Sequence, residues 1–237
     1  MKREPKESLE QVAYQHIKNL LANYRVAPGQ RLIYQDLANL FHVSRTPIKN
    51  ALSRLEQEGY VTLIPEKGYI VREITFKEAS ELLDVLEMLE FYAVQKAIKD
   101  NSTMAQLPEI TNILEEYSNA VQKELNRERF RIDARLHTKI VELAGNTFLT
   151  AKVNEIFEKM YLQIRISGLS QKRGEVAREE HHKIYKALRQ RITKDAVKWV
   201  IQHARSRKAN ILSNAFAERR ETYYENMVAE RDSDSKP

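Results

Sequence analysis

The segment from Val43 to Val61 restricts the fold more than any other, because a turn, a helix start and an apolar repeat follow one another within it. Ser44 is placed to cap a helix by accepting a hydrogen bond from a backbone N–H, and Pro47 falls in the first turn, where its missing N–H is harmless. Apolar residues then recur at the spacing of one helix face: Ile48, Leu52 and Leu55. The pattern predicts a short amphipathic helix that directly follows a turn.

The exposed side of this helix begins with Arg45, Thr46 and Lys49. Cations and hydroxyl groups at a helix start suit a DNA major groove, because they reach phosphates, and arginine also hydrogen-bonds guanine edges. The alternative is that these side chains form only the solvated face of a surface helix. That alternative does not explain the elements on either side of the helix.

The neighbouring elements fit a winged helix-turn-helix. Two β-prone runs, Tyr60–Ile64 and Tyr69–Val71, follow the helix, and the Pro-Glu-Lys-Gly turn between them signals a hairpin. The tip of this hairpin would be the wing, with Lys67 and Gly68. Two further helices precede the turn, and their apolar spacing sets the predicted extents: Glu10 to Asn23 and Ile33 to Phe41.

Composition limits the remaining possibilities. A chain of 237 residues has room for two domains, and its six glycines and six prolines are few enough to favour helices. Cysteine is absent, which fits a reducing cytoplasm, and we expect neither a signal peptide nor a membrane span. The formal net charge of +6 agrees with a nucleic-acid partner without establishing one.

From residue 74 onward, nearly all of the sequence has helical periodicity. Thr75 and Glu78 have the spacing of a capping box, and Asn146 is expected to end the third helix with a left-handed cap. Six helices are predicted: Phe76–Lys99, Leu107–Glu124, Arg127–Ala144, Phe148–Leu169, Gly174–Arg191 and Thr193 to about Arg219. Such helices can bury one core as an antiparallel bundle. We therefore predict a mainly α protein, with a winged helix-turn-helix over residues 1–73 and an all-helical domain over residues 74–237.

Histidines and one aspartate mark the inner faces of three of these helices. Asp133 and His137 are four residues apart, His181 shares the apolar stripe of the fifth helix, and His203 follows Trp199 by one turn. A buried carboxylate is costly unless it is paired or bound to a cation, and imidazole with carboxylate suits zinc, nickel, manganese or iron. Spacing alone leaves two interpretations open, a metal site or ordinary core histidines hydrogen-bonded to backbone carbonyls.

Both parts of the sequence resemble the GntR superfamily of bacterial transcription regulators, and the helical part resembles the ligand-sensing domain of its FadR branch. The run Ser-Arg-Thr-Pro-Ile-Lys-Asn-Ala-Leu-Ser-Arg-Leu, the later Glu-Gly-Tyr-Val and the Lys-Gly wing indicate the first resemblance. The second rests on the Asp-x-x-x-His pair, Gly145-Asn146, Glu180-His181 with Ile184 and Ala187, and the last histidine.

The resemblance implies a DNA-binding surface and a divalent metal ion. DNA contacts would come from the turn, the recognition helix and the wing: Ser44, Arg45, Thr46, Lys49, Lys67 and Gly68. Lys49 stands where arginine is usual and Gln35 stands where some relatives carry arginine, so we expect an operator that differs from the commonest one. The ion, with zinc, nickel and manganese as candidates, would be held by Asp133, His137, His181 and His203.

The expected ligand of the helical domain is a small organic or sugar acid. Members of the branch often carry an arginine four residues before the glutamate of the first bundle helix, but Leu86 stands four residues before Glu90 here. A carboxylate would therefore be anchored by the ion or by another cation, and the candidates are Arg131, Arg135 and Arg165.

The implied function is that of a homodimeric regulator, because two recognition helices on a two-fold axis can read a palindromic operator in double-stranded DNA. We expect the acid to release a repressor from DNA, and we expect no enzymatic activity. Two alternatives stay open, a metal-dependent enzyme fused to a DNA-binding domain and a sensor of the ion itself. The enzyme would need a general base beside the ion, and Glu180 is expected to point elsewhere.

Overall fold

The computed structural model describes residues 8–100, 106–123, 126–164 and 171–216. The chain divides into two compact units, Met1–Ile74 with Glu158–Arg165, and Thr75–Phe157 with Ile166–Pro237. The predicted boundary after residue 73 lies beside the first break, but the prediction contains no counterpart of the segment Glu158–Arg165 in the N-terminal unit. Periodicity within one helix cannot show which core the last turns of that helix join.

The N-terminal unit combines helices with a small sheet. Its elements are α1 (Leu9–Ala22), β1 (Arg31–Leu32), α2 (Tyr34–Phe41), α3 (Arg45–Gln57), β2 (Val61–Ile64) and β3 (Gly68–Val71). β3 lies between β1 and β2 and is antiparallel to both, with Tyr69 opposite Leu32 on one side and Leu63 on the other. These elements confirm the predicted winged helix-turn-helix.

Three local features of this unit differ from the prediction. β1 was not predicted, because two residues are too few to show the alternation of a strand. Ile33 is extended (φ −98°, ψ 122°), and α2 begins one residue later than predicted. Ser44 occupies the N-cap of α3 with an extended backbone, but its side chain makes no capping hydrogen bond. Ser44 therefore contributes to the helix start through its backbone conformation alone.

The apolar face of α3 lies at the centre of the N-terminal unit. Ile48, Leu52 and Leu55 are fully buried, as predicted, and belong to one cluster with Ile17 of α1 and Tyr69 of β3. Fully burying an aliphatic side chain of this size contributes about 1.5–3 kcal/mol. This burial fixes the rotation of α3 about its axis, so the side chains of its opposite face are exposed.

The regular secondary structure of the C-terminal unit is all helical in the residues described, and the last turns of its fourth helix belong to the N-terminal unit. Its helices are α4 (Phe76–Lys99), α5 (Leu107–Gln122), α6 (Asn126–Glu142), α7 (Thr147–Gln163), α8 (Gln171–Arg189) and α9 (Thr193–Ala215). They agree with the six predicted helices, although the predicted ends at Glu124, Leu169 and Arg219 lie outside the described residues. α4 starts at the predicted capping box, in which the Glu78 N–H donates to Thr75 Oγ1 (3.1 Å) and the Thr75 N–H donates to Glu78 Oε2 (2.9 Å). None of the helices in the described ranges is long and apolar enough to cross a lipid bilayer.

The link between α6 and α7 differs from the prediction at Asn146. The positive φ of a left-handed cap belongs to Gly145 (60°) and not to Asn146. Asn146 instead caps α7, because its Oδ1 accepts a hydrogen bond from the Leu149 N–H at 3.1 Å. Asparagine suits both positions, so the sequence does not distinguish the end of one helix from the start of the next.

Candidate metal centre and DNA-binding surface

Four buried side chains from three helices converge in the C-terminal unit. Asp133 and His137 lie one turn apart on α6, His181 lies on α8 and His203 lies on α9. One ligating atom from each residue lies within 4.8 Å of the other three. The structure therefore brings together all four residues that the sequence suggested as metal ligands.

The spacing of these atoms resembles that of a coordination sphere. The Nε2 atoms of His137 and His203 are 3.0 Å apart, and His181 Nε2 lies 3.3 Å from each of them. Asp133 Oδ1 lies 3.1 Å from His181 Nε2 and 3.8 Å from His137 Nε2. Nitrogen ligands about 2.0–2.1 Å from an ion are about 3.3 Å apart in a tetrahedral site and about 3.0 Å apart at right angles in an octahedral site. The three separations between imidazoles fall in this range.

Two carboxylates face the opposite nitrogens of these imidazoles. His137 Nδ1 lies 2.9 Å from Glu90 Oε1, and His203 Nδ1 lies 2.9 Å from Glu180 Oε2. Because an ionised carboxylate only accepts hydrogen bonds, each Nδ1 carries the proton and each Nε2 presents a lone pair to the centre. Hydrogen bonds of this kind orient metal-binding histidines and raise their basicity. Ordinary core histidines, in contrast, bond backbone carbonyls.

Glu180 contradicts the prediction that it points away from the site. Its buried carboxylate lies against His203 and accepts a hydrogen bond from Arg173 Nη1 at 2.8 Å. Arg207 holds Glu90 in a similar way, with its Nη1 and Nη2 donating to the two carboxylate oxygens at 3.1 and 2.8 Å. Burial alone would raise the pKa of Glu90, but Arg207 and the bonded imidazole outweigh burial and lower this pKa to about 2.

The pKa values of Asp133, His181 and His203 are also lowered in this buried centre. Burial opposes ionisation of Asp133, but His137 and His181 outweigh it and lower the pKa of Asp133 below its usual value. Burial lowers the pKa of His181 to about 4, although Asp133 opposes this shift. Burial, with His181 and His137, also lowers the pKa of His203 well below its usual value. At neutral pH, Asp133 is therefore ionised and His181 and His203 are neutral, the forms in which these groups bind metal ions.

A cavity of about 50 Å³ adjoins the centre and is lined partly by Asp133 and His203. Three arginines contribute to its wall: Arg129, Arg173 and Arg207. Because arginine is a fixed cation with planar donors, this wall suits an anionic ligand with carboxylate or phosphate oxygens. The metal centre and the cavity therefore form one candidate site.

Two of the predicted carboxylate anchors, Arg131 and Arg135, do not line this cavity. Arg131 and Arg135 are exposed on α6, in ion pairs with Glu128 and Glu116, and Arg165 lies outside the described residues. A spacing signal for two arginines of the cavity wall was present in the sequence. Arg129 precedes Asp133 by four residues and Arg207 follows His203 by four, so each shares a helix face with a predicted ligand.

The predicted DNA-binding residues of the recognition helix are exposed. Ser44, Arg45, Thr46 and Lys49 lie together at the start of α3. Gln35 on α2 accepts hydrogen bonds from Arg45 Nε, at 2.8 Å, and from Arg45 Nη2. The structure therefore joins Gln35 and Arg45 into an exposed pair, which sequence spacing did not show.

Of the predicted wing residues, Lys67 lies in the turn between β2 and β3, and Gly68 is the first residue of β3. The Lys67 N–H donates to the Ile64 carbonyl at 3.0 Å, and Gly68 has a φ of 81°, which favours glycine. Arg31 Nη2 donates to the Lys67 carbonyl and so connects the turn with β1. Lys67 is exposed, so its ammonium group is accessible to a phosphate.

Both units match known protein families. Residues 9–71 match the bacterial regulatory proteins of the gntR family, and residues 81–206 match the FCD domain. The chain therefore belongs to the GntR family of transcriptional regulators and carries an FCD domain. This finding confirms the resemblance seen in the sequence and establishes a DNA-binding transcriptional regulator.

Known relatives belong to the same class. The Nta operon transcriptional regulator of Aminobacter aminovorans is 28% identical over 187 residues, which cover 78% of this chain and 85% of the relative. The HTH-type transcriptional regulator YdhC of Bacillus subtilis is 25% identical over 191 residues, covering 80% of this chain and 85% of the relative. A solved GntR regulator from Rhodococcus sp. RHA1 shares the fold, with a TM-score of 0.76 and 17% identity, over 87% of this chain and 99% of that structure.

Proposed function

We propose that the chain is a homodimeric repressor that acts on a palindromic operator in the cytoplasm. A small organic or sugar acid, bound at a divalent ion in the C-terminal unit, would release it from DNA. The observation that supports this most strongly is the convergence of three Nε2 atoms and one carboxylate oxygen, with Nδ1 bonds that direct two lone pairs inward.

The donor set supports a resident ion. Three imidazoles and one carboxylate suit zinc, nickel or manganese, and Asp133, His137, His181 and His203 would hold the ion. When bound, the ion would supply a Lewis acid for the oxygens of a carboxylate. The adjoining cavity gives such a ligand a place beside Asp133 and His203.

The exposed pair of Gln35 and Arg45 supports a sequence-specific DNA contact. Arginine reads guanine through two parallel hydrogen bonds, and such a contact depends on the orientation of the guanidinium plane. Gln35 holds that plane because its Oε1 accepts two hydrogen bonds from Arg45. We propose that Gln35 orients Arg45 for a base contact. Ser44, Thr46, Lys49 and the wing residues would contact the sugar-phosphate backbone of the DNA.

An exposed apolar stripe on α4 supports the homodimer. Val85, Met88 and Tyr92 recur at helical spacing and are 40%, 65% and 51% exposed. Contiguous apolar surface of this kind marks interaction sites more often than scattered apolar residues do. A two-fold axis through the stripe would pair it with the same stripe of a second copy, and a dimer carries the two recognition helices that a palindrome requires.

Operator release is tested with full-length, metal-loaded protein and a labelled operator obtained by in vitro selection. Fluorescence anisotropy would measure DNA affinity while short organic and sugar acids are added singly. A typical coupling free energy of about 1–3 kcal/mol between acid and DNA would weaken operator binding roughly 5–150-fold. If an acid that binds the protein tightened operator binding instead, the release model would be refuted.

The same assay separates a ligand-holding ion from a sensed ion. Chelation without any acid should leave operator affinity unchanged when the ion only holds the ligand. A large change on chelation would favour the metal sensor.

The enzyme alternative gains no support from the carboxylates described around the centre. Glu90 and Glu180 are each bonded to an arginine and an imidazole, and the lowered pKa of Glu90 makes it a poor base near neutral pH. We therefore propose that the chain is not an enzyme. Incubation of metal-loaded protein with a bound acid should return the acid unchanged.

A further inference from the structure

Asn39 on α2 extends the exposed pair of Gln35 and Arg45 by one hydrogen bond. Gln35 Nε2 donates to Asn39 Oδ1 at 2.8 Å, and Gln35 Oε1 accepts from Arg45 Nε at 2.8 Å and from Arg45 Nη2. Gln35 and Asn39 are four residues apart on one helix, so their side chains lie on the same face. The three exposed side chains therefore form a continuous row from α2 to the start of α3.

The chemistry of this row fixes the direction of its hydrogen bonds. A guanidinium group only donates, so Gln35 must turn its carbonyl oxygen toward Arg45. The amide nitrogen of Gln35 then points to the other side, where Asn39 Oδ1 accepts its hydrogen bond. An amide turned the other way would set its own N–H groups against the donors of Arg45. Asn39 and Arg45 thus stabilise the same orientation of the Gln35 side chain.

Gln35 leaves one edge of the Arg45 guanidinium open. The side that carries Nε and Nη2 is engaged by Gln35 Oε1, whereas Nη1 makes no hydrogen bond with the protein groups that the structure describes. Nη1 and the second N–H of Nη2 form the end edge of the guanidinium. Two parallel N–H groups on such an edge match the O6 and N7 acceptors of guanine. The row therefore favours recognition of guanine through the end edge of Arg45.

We propose that Asn39 is a positioning residue for base recognition, because it holds the Gln35 amide in the orientation that presents the end edge of Arg45 to a guanine. This inference rests on the DNA contact of Arg45 proposed above. A glutamine side chain has several rotatable bonds, and an exposed one changes rotamer readily. The bond to Asn39 restricts these changes from the far side of the amide, so less ordering remains to be done when DNA binds.

Fluorescence anisotropy with full-length protein and an operator obtained by in vitro selection tests this role. The readout is the affinity ratio between the operator and a variant with one guanine replaced, at the position where Arg45→Ala loses its preference. We expect a ratio of roughly 5–150-fold in the unmodified protein. Asn39→Ala should reduce this ratio about 2–10-fold, the factor that corresponds to one hydrogen bond. Asn19→Ala, at an exposed position on α1, is the matched control and should keep the ratio.

Two further variants distinguish positioning from a direct contact of Asn39 with DNA. Asn39→Asp keeps an acceptor for Gln35 Nε2, so it should keep the guanine ratio while its charge weakens binding to both sequences equally. Gln35→Glu presents an acceptor oxygen to Arg45 in either orientation, because both carboxylate oxygens accept. In that background Asn39→Ala should leave the ratio unchanged. An equal fall in both backgrounds, or a loss in Asn39→Asp as large as in Asn39→Ala, would overturn the positioning role.

The outcomes separate this inference from the proposed function. A protein that selects no DNA sequence, or that loses no guanine preference in Arg45→Ala, would overturn both. A guanine preference that disappears in Arg45→Ala but persists in Asn39→Ala would overturn the role of Asn39 and leave the contact of Arg45 intact. The alanine variants replace exposed helical side chains with a strong helix former, so we expect them to fold with unchanged circular dichroism.

Discussion

Replacement of Arg207 by methionine should destabilise the C-terminal unit by about 3–5 kcal/mol. Arg207 is buried and donates to both oxygens of Glu90, so the substitution leaves a buried carboxylate without its cation. The lowered pKa of Glu90 gives a similar magnitude. Its fall from 4.5 to about 2 corresponds to about 3 kcal/mol, because one pKa unit is worth about 1.4 kcal/mol.

Urea unfolding followed by tryptophan fluorescence would measure this effect. Trp199 is the single tryptophan of the chain and packs against the bundle core from α9, so its emission reports the C-terminal unit. EDTA in the buffer prevents a bound ion from adding to the stability. Arg205→Met is the matched control, because Arg205 lies on the same helix in an exposed pair with Glu87 at 3.4 Å. That control should change the free energy of unfolding by less than about 0.5 kcal/mol.

A cost below about 1 kcal/mol for Arg207→Met would refute the reasoning, because a buried carboxylate that loses its cation is strongly destabilising. Glu90→Gln combined with Arg207→Met removes both charges and keeps an acceptor for His137, so it should be more stable than Arg207→Met alone.

The contribution of Glu90 to stability depends on pH in a defined direction. Because the pKa of Glu90 is lower in the folded protein, its contribution is present above about pH 4.5 and is lost as the pH falls toward 2.

Four further predictions concern the metal, the pH dependence, the dimer and the DNA. His181→Ala should abolish zinc binding by elemental analysis, whereas His182→Ala, at an exposed position on the same helix, should retain it. In EDTA the stability of the C-terminal unit should fall between pH 6.5 and about 4, because the unfolded chain takes up a proton at His181 before the folded chain does; a flat profile would contradict this. Light scattering should show that Met88→Glu converts a dimer into a monomer. Lys77→Gln, on the same helix, should leave the dimer intact. Arg45→Ala should weaken operator binding by about 1–3 kcal/mol, and Gln35→Ala should cost little more in that background. Additive losses would instead indicate that Gln35 contacts DNA directly.

The features of the fold that were predicted correctly are each determined by residue spacing within a single helix. Ile48, Leu52 and Leu55 repeat within α3, so their burial follows from their spacing without knowledge of any partner. The four candidate ligands share this property. Each lies on the apolar stripe of its own helix, and the stripes of one bundle face the same core, so spacing alone could group them.

The parts that the sequence did not predict depend on contacts between distant segments. β1 exists because β3 offers it a hydrogen-bonding edge, and its two residues carry no pattern of their own. Arg131 and Arg135 were candidate anchors because they are cations, but they are out of phase with Asp133 by two residues and lie on the exposed face of α6. Arg129 is in phase with Asp133 and lines the cavity, and only the approach of Gly174 on α8 shows how closely its guanidinium packs there.

The two outer carboxylates make the four candidate ligands unequal. Glu90 and Glu180 accept the Nδ1 protons of His137 and His203, so the Nε2 lone pairs of these two residues already face the centre. The buried Nδ1 of His181 has no partner among the described groups, and its Nε2 lies 3.1 Å from Asp133 Oδ1. Because a neutral imidazole carries one proton, His181 without an ion is stabilised with that proton on Nε2, donated to Asp133. Metal binding must therefore compete with a hydrogen bond at Asp133 and His181, whereas His137 and His203 are oriented for it in advance.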